Sequence, residues 1–198
     1  MAEEMVEVCN LNDLKGLIDF KKGIHIDTFS RLKNWEGRSC CEWEGISCDN
    51  STGRVTEILL LGLIYFDGVP LQNHKECWLS PSVTLLTSLE AIDFSELIGL
   101  SRPTPPSIID SLRSLTSSAN LDLHSNSISG LMPEKIGELQ ILNLSENFLG
   151  RKIPPLITNF TLISVMFLNN NYLEVRIPFP QRSGQMLSLA HLRLRITV

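Results

Sequence analysis

An α/β solenoid of short parallel strands is the fold this sequence predicts, on three observations. The pattern apolar-x-apolar-x-x-Asn-x-apolar, closing on Ile-Pro or Met-Pro, occurs as LDLHSNSISGLMP (121–133), LNLSENFLGRKIP (142–154) and MFLNNNYLEVRIP (166–178). Weaker copies, AIDFSELIGLSRPTP (91–105) and HLRLRITV (191–198), flank them. Strand starts then fall at Ile92, Leu121, Leu142, Met166 and Leu192, spaced by 29, 21, 24 and 26 residues. Those spacings suit a repeat of roughly 20–29 residues that carries one short strand. The third observation is a cysteine-bearing block ahead of the array, SCCEWEGISCDNSTGRVTEILLL at 39–61. A stack of repeats needs such a block, because its first unit has no neighbour on one side.

The totals exclude several classes. With 43% hydrophobic and 20% charged residues in 198, the composition is globular and disorder of the whole chain is excluded. The 17 Lys and Arg are scattered against 22 Asp and Glu, a net charge of -5. No cationic face tracks a phosphate backbone, so nucleic acid is not an expected partner. The longest apolar run, ILLLGLIYF at 58–66, falls short of the roughly 18–20 residues that cross a bilayer as a helix. No membrane insertion of this chain itself is expected. MAEEMVEV at the start is acidic and lacks the pattern of a secretory signal peptide, so residues 1–8 read as an unstructured extension.

Residues 9–61 read as a cap. CNLNDLKGLIDFKKGI (9–24) has amphipathic helical spacing, with Asn10 as cap, Asp13 three residues on, and Leu14, Leu17 and Ile18 on one face. DTFSRLKNW (27–35) reads as a second short helical segment presenting Leu32 and Trp35, and GISC to RVTEILLL as a hairpin about DNSTG. Residues 62–88 are expected to be an irregular connection, and 89–198 about four repeats. In each repeat, alternation puts side chains such as Leu121 and Leu123 inward and Asn120, Asp122 and His124 outward. Asn126, Asn147 and Asn171 recur where the chain leaves the strand. An inward amide there would bond backbone groups of its own turn and of the next repeat, at about 1 kcal/mol net per bond. Pro133, Pro154 and Pro178 fix φ on the convex side.

Four cysteines, Cys9, Cys40, Cys41 and Cys48, allow three pairings. A zinc site is the poorer reading, because no Cys-x-x-Cys pair exists and adjacent cysteines suit a tetrahedral site badly. Cys77, in HKECWLSP, is a free thiol, a link to another chain, or half of a pair with His74. No cofactor and no metal are expected.

The run L-x-L-x-x-N-x-[LI]-x-G-x-[IM]-P at 121–133 resembles the plant extracellular type of leucine-rich repeat, and the resemblance covers roughly 89–198. Residues 9–61 resemble the N-terminal cap of plant receptor-like proteins and polygalacturonase-inhibiting proteins. There a lone Cys precedes the helix, and Trp is followed by CC-x-W-x-G-[VI]-x-C. The resemblance implies a right-handed leucine-rich-repeat solenoid with short parallel strands on its concave face and a helical, disulfide-bonded cap. It also implies the bridges Cys9–Cys40 and Cys41–Cys48, worth roughly 3.5 and about 2.4 kcal/mol in the loop-entropy picture. Disulfides belong to an oxidising compartment. Three sequons, at Asn50, Asn143 and Asn159, agree with an extracellular or cell-surface location.

No nucleophile elbow, phosphate loop or zinc-protease motif occurs, and the four His residues lie in unrelated contexts, so an enzyme is not expected. A solenoid instead offers a concave surface whose outward side chains vary freely. Those positions are Asp93, Ser95, Asn120, Asp122, His124, Asn143, Ser145, Val165, Phe167, Asn169, His191, Arg193 and Arg195, with Phe167 the one large aromatic. The expected function is recognition of an extracellular protein or peptide ligand, with a co-receptor, as the front end of a plant receptor-like protein or kinase in defence or development. The alternative is an inhibitor of secreted wall-degrading glycosidases, against which stand the small number of repeats and the lack of a C-terminal cysteine cap. A third reading is a truncated product without independent activity. Arg102, Arg151 and Val175 replace the repeat's Gly, the 21-residue spacing implies a loss of three residues before Leu142, and HLRLRITV stops inside a strand.

Overall fold

A computed structural model of the chain describes residues 9–25, 27, 30–66, 69–72, 80–97, 101–103, 120–132, 139–152, 162–174 and 191–193. For 63–66, 69–72, 81, 101–103, 151–152 and 191–193 it describes the backbone alone. The expected extension 1–8, Pro133, Pro154, Pro178, Val175, Arg195, His74, Cys77 and Asn159 lie outside the described residues.

The cap opens with α1 (Leu11–Lys22), where Asn10 Oδ1 accepts from Asn12 N at 3.0 Å and Lys21 and Lys22 face the negative end of the helix dipole. Its buried stripe is Asp13, Leu14, Gly16, Leu17 and Phe20. Ile18, expected on that face, is 37% exposed. It is rotated about 100° from Leu17, and the stripe is displaced the other way because Asp13 and Gly16 are on it. Gly16 lets the helix approach a 3-10 turn at Pro81–Leu85. A Cβ there would lie 3.0 Å from Ser82 O, and Ser82 Oγ donates to Gly16 O at 3.0 Å.

Where a second helical segment is expected, at 27–35, the described residues 27 and 30–35 form a succession of single turns. Ser30 N bonds Asp27 O, Lys33 N bonds Ser30 O and Trp35 N bonds Leu32 O. Ser30, at φ 53°, is left-handed and breaks any helical run. Leu32 and Trp35 are nevertheless buried. Trp43 stacks on Trp35 at 5.3 Å, Trp35 meets Phe20 at 6.4 Å, and Phe20 stacks on Phe94 at 5.3 Å. This aromatic series carries the cap core into the first repeat, and each indole has a partner. Trp35 Nε1 donates to Glu44 O and Trp43 Nε1 to Glu36 O, both at 3.0 Å.

A 3-10 turn at Cys40–Glu42 leads into β1 (Ile46–Cys48) and β2 (Val55–Leu59), an antiparallel pair. Cys9 is bonded to Cys40 and Cys41 to Cys48, with Cα separations of 5.3 and 5.5 Å. The segment 62–88, expected to be irregular, contains a hairpin, β3 (Leu63–Phe66) with β4 (Val69–Gln72), and then the turn 81–85.

The repeats supply β5 (Ala91–Asp93), β6 (Ser101–Pro103), β7 (Asn120–Asp122), β8 (Ser127–Gly130), β9 (Ile141–Asn143), β10 (Phe148–Lys152), β11 (Val165–Phe167), β12 (Tyr172–Glu174) and β13 (His191–Arg193). One sheet runs β1-β2-β5-β7-β9-β11-β13, parallel from β2 onward, with Ile58, Ile92, Leu121, Leu142, Met166 and Leu192 in register. This is the α/β solenoid that the repeat pattern predicts. Inside it Leu121, Leu123, Leu142, Leu144, Met166 and Leu168 pack against Ile128, Leu149, Leu173 and the cap residues in one core.

A second parallel sheet, β12-β10-β8-β6, was not anticipated. It forms from the stretch after each ladder position, where Ile128, Leu149 and Leu173 point inward between half-exposed or exposed neighbours. Arg102 and Arg151, at the repeat's Gly position, are accommodated in the backbones of β6 and β10.

Candidate functional site

The concave sheet face has three rows of side chains, set by the parallel register. The first is Glu57, Ala91, Asn120, Ile141 and Val165; the second is Leu59, Asp93, Asp122, Asn143 and Phe167. The third, one step beyond the strands, holds Ser95, His124, Ser145 and Asn169. Asn120 is exposed, and Asp93, Asp122, His124, Asn143, Val165, Phe167 and Asn169 are half-buried. His191 and Arg193 are in register with Val165 and Phe167 on β13.

Two positions taken as outward are closed off. Ser95 is 5% exposed and Ser145 8%. The backbone folds back here: Ser95 N donates to Asp93 Oδ1 at 2.9 Å, and Ser145 Oγ donates to Asn143 Oδ1 at 2.7 Å. They brace the surface instead of presenting it. Conversely, Ile141, Ala91, Glu57 and Leu59 share the face and were missed. Ile141 sits where Asn120 and Val165 sit, so the same alignment would have found it. Joined with Val165 and Phe167, it makes one half of the face apolar.

The other half is acidic around one imidazole. His124 Nδ1 lies 2.7 Å from Asp122 Oδ1, and its Nε2 lies 3.6 Å from Glu96 Oε1. Asp122 Oδ2 accepts from Asn143 Nδ2 at 3.0 Å. Burial pushes the His124 pKa down, but the hydrogen bond and charge of Asp122 and the charges of Glu96 and Asp93 outweigh it and hold the pKa above 6.5.

The ladder asparagines join adjacent repeats in the direction opposite to that expected: each reaches back to the preceding repeat. Asn147 Nδ2 donates to Leu123 O at 2.9 Å, and Asn147 Oδ1 accepts from Ile128 N at 2.9 Å. Asn171 repeats both bonds, to Leu144 O at 2.8 Å and from Leu149 N at 2.9 Å. Asn126 Nδ2 donates to Phe94 O at 2.7 Å. Its Oδ1 has no donor among the described residues, and the position corresponding to Ile128 and Leu149 is Gly99, which lies outside them. The residue before each ladder position, Glu96, Ser125, Glu146 and Asn170, has φ between 53° and 60°. This left-handed step turns the amide inward, and no sequence signal flagged it, because only Asn170 is a residue type that favours it.

Of the sequons, Asn50 is exposed on the turn between β1 and β2, where Asp49 Oδ1 accepts from Ser51 Oγ and Thr52 Oγ1 at 2.6 and 2.7 Å. Those two side-chain hydrogen bonds lower the Asp49 pKa. Asn143 lies within the concave sheet, its amide engaged as described. The sulfurs of Cys40, Cys41 and Cys48 are within 4.8 Å of one another, but they are held in the two bridges and carry no thiolate for a metal. Among the described residues no helix is long and apolar enough to cross a membrane.

A parallel-stranded solenoid with an asparagine ladder, a second lateral sheet and a doubly disulfide-bonded helical cap is a leucine-rich-repeat fold. Residues 10–49 match the leucine rich repeat N-terminal domain and residues 138–160 the leucine rich repeat. Proteins similar in sequence include plant receptor-like proteins and leucine-rich-repeat receptor-like kinases. The chain is 29% identical over 181 residues to receptor-like protein EIX1 of Solanum lycopersicum, an alignment that covers 85% of this chain and 17% of that protein. The chain thus spans about a sixth of the length of that relative. Among solved structures, the BIR2 ectodomain of Arabidopsis thaliana is similar at TM-score 0.67 and 25% identity, covering 84% of this chain and 83% of that one. A plant ice-binding protein is similar at TM-score 0.67 and 27% identity, covering 83% and 50%.

Proposed function

We propose that the chain is a non-catalytic recognition module that binds an extracellular protein or peptide on its concave face, as the front portion of a plant receptor-like protein or receptor kinase. Similarity in fold is not by itself enough, because receptor ectodomains and an ice-binding protein share this solenoid. The observation that carries the reading is the division of the concave face. An apolar half, Ile141, Val165 and Phe167, adjoins a charged half, Asp93, Asp122 and His124, on strands whose core is secured by other residues. An apolar anchor beside orienting charges is the usual anatomy of a peptide-binding patch. The receptor-like relative and the two cap disulfides support a location outside the cell, and protein or peptide partners follow from that setting.

The test is to pan a displayed random-peptide library on the disulfide-bonded 198-residue chain and measure the affinities of enriched peptides. Phe167→Ala and Asp122→Ala are each expected to weaken binding by about tenfold or more, a hot-spot-sized loss. Phe148→Ala, on the lateral sheet at 49% exposure, is expected to leave binding unchanged. Absence of any enriched peptide, or sensitivity to Phe148 and not to Phe167 and Asp122, would overturn the reading.

A further inference from the structure

His124 stands at the centre of the concave face with a carboxylate at each ring nitrogen, and the two carboxylates belong to different repeats. Asp122, on its own strand β7, lies 2.7 Å from Nδ1; Glu96, in the turn after β5, lies 3.6 Å from Nε2. Asp93 on β5 is the third charge near the ring. On the β9 side, Asn143 and Ser145 are neutral, and the nearest acid, Glu146, is bonded at 2.8 Å to Ser125 Oγ. Among the described residues His124 is therefore the sole titratable cation in a group of three carboxylates.

The two protonation states of the ring cannot serve both carboxylates equally. An imidazolium donates from Nδ1 and Nε2 at once, to Asp122 and toward Glu96. A neutral imidazole has one N–H. If it stays on Nδ1, where the 2.7 Å bond holds it, the Nε2 lone pair faces the Glu96 carboxylate and the contact turns repulsive. We propose that His124 is a proton-operated tie between the first two repeats, joining β7 to the turn after β5 when protonated and losing its attraction to Glu96 when neutral.

The backbone beneath is built to survive release. Glu96 N donates to His124 O at 2.9 Å, and Phe94 N to Asp122 O at 2.9 Å, so the strands stay paired while the side-chain layer changes. Neutralising the ring also removes one positive charge from beside Asp122, Glu96 and Asp93, which strengthens the pull of this half of the face on a cationic partner. That last consequence rests on the recognition reading; the tie itself does not.

The sign of the pH dependence follows from the raised pKa. The tie contributes stability that is fully present below the ordinary value of 6.5 and is lost as pH rises through the higher folded-state value. The experiment needs no partner: an NMR pH titration of the labelled, disulfide-bonded chain from about pH 5 to about pH 9, with His124 assigned by His124→Gln. The His124 ring is expected to titrate above 6.5, the Glu96 side-chain carboxyl carbon to shift with the same midpoint, and Glu96→Gln to lower that midpoint. The melting-temperature advantage of the wild type over His124→Gln is expected at pH 5.5 and lost by about pH 8.5. A His124 midpoint at or below 6.5, or a Glu96 carbon that does not follow it in the wild type, overturns the proposal whether or not Glu96→Gln folds. Loss of peptide binding without change in these titrations would count against the recognition reading alone.

Discussion

Replacing Asp13 by alanine is expected to lower the unfolding free energy by about 3 kcal/mol, read by denaturant titration with the disulfides intact. Asp13 is fully buried at the foot of α1. Its Oδ2 accepts from Arg54 Nε at 2.8 Å and Val55 N at 2.9 Å, and its Oδ1 from Arg54 Nη2 at 2.8 Å. Arg54 Nη2 also donates to Thr87 Oγ1 at 2.8 Å. One carboxylate thus connects the cap helix, the hairpin strand β2 and the approach to the first repeat. Its loss leaves a buried peptide N–H and a guanidinium unpaired. The value lies at the low end of the range for broken buried pairs because the Arg54 side chain keeps 22% of its exposure and can turn to water. Asp13→Asn retains an acceptor for Val55 N and should lose less. An effect of Asp13→Ala within about 0.5 kcal/mol of zero, as for an ordinary surface change, would show that the cap is not held by this pair.

Asn147→Ala is expected to cost about 2–4 kcal/mol, and Asn126→Ala about 1 kcal/mol less, in the same measurement. Removing the Asn147 amide strips a donor from Leu123 O and an acceptor from Ile128 N, both buried and in the preceding repeat. Leu123 and Ile128 are 2% and 0% exposed. Asn126 supplies the corresponding donor to Phe94 O, but its Oδ1 meets no donor among the described residues, so one cross-repeat bond fewer is at stake. Equal losses for the two would mean that the amide oxygen contributes little and the carbonyl contacts carry the ladder.

Much of the fold was legible because its determinants are periodic. Leu121, Leu142 and Met166 mark strand starts whatever surrounds them, since a two-residue alternation needs no tertiary information. The cap was legible through a motif, Cys9 with CC-x-W-x-G-I-x-C, and not through any calculation on its residues. The elements that were misread have local reasons. Ser30 adopts a left-handed φ, so where a helix is expected at 27–35 the described residues form separate turns. The stretches after each ladder position form β6, β8, β10 and β12 because successive turns bring them side by side; a strand of three to five residues has little signal of its own.

The candidate site divides in the same way. Asp93, Asn120, Asp122, Val165 and Phe167 could be assigned to the concave face from alternation alone, because a parallel strand sends every second side chain to the same side. Ser95 and Ser145 could not be recognised as closed off, since that depends on the chain turning back at a left-handed residue just beyond them. Repeat period, strand polarity and the cysteine framework follow from residue identity and spacing, which act along the chain. The partner of Asp13, the direction in which the ladder amides reach and the meeting of His124 with Glu96 depend on residues 19 to 42 positions apart. Only the stacking of one repeat on the next determines those distances.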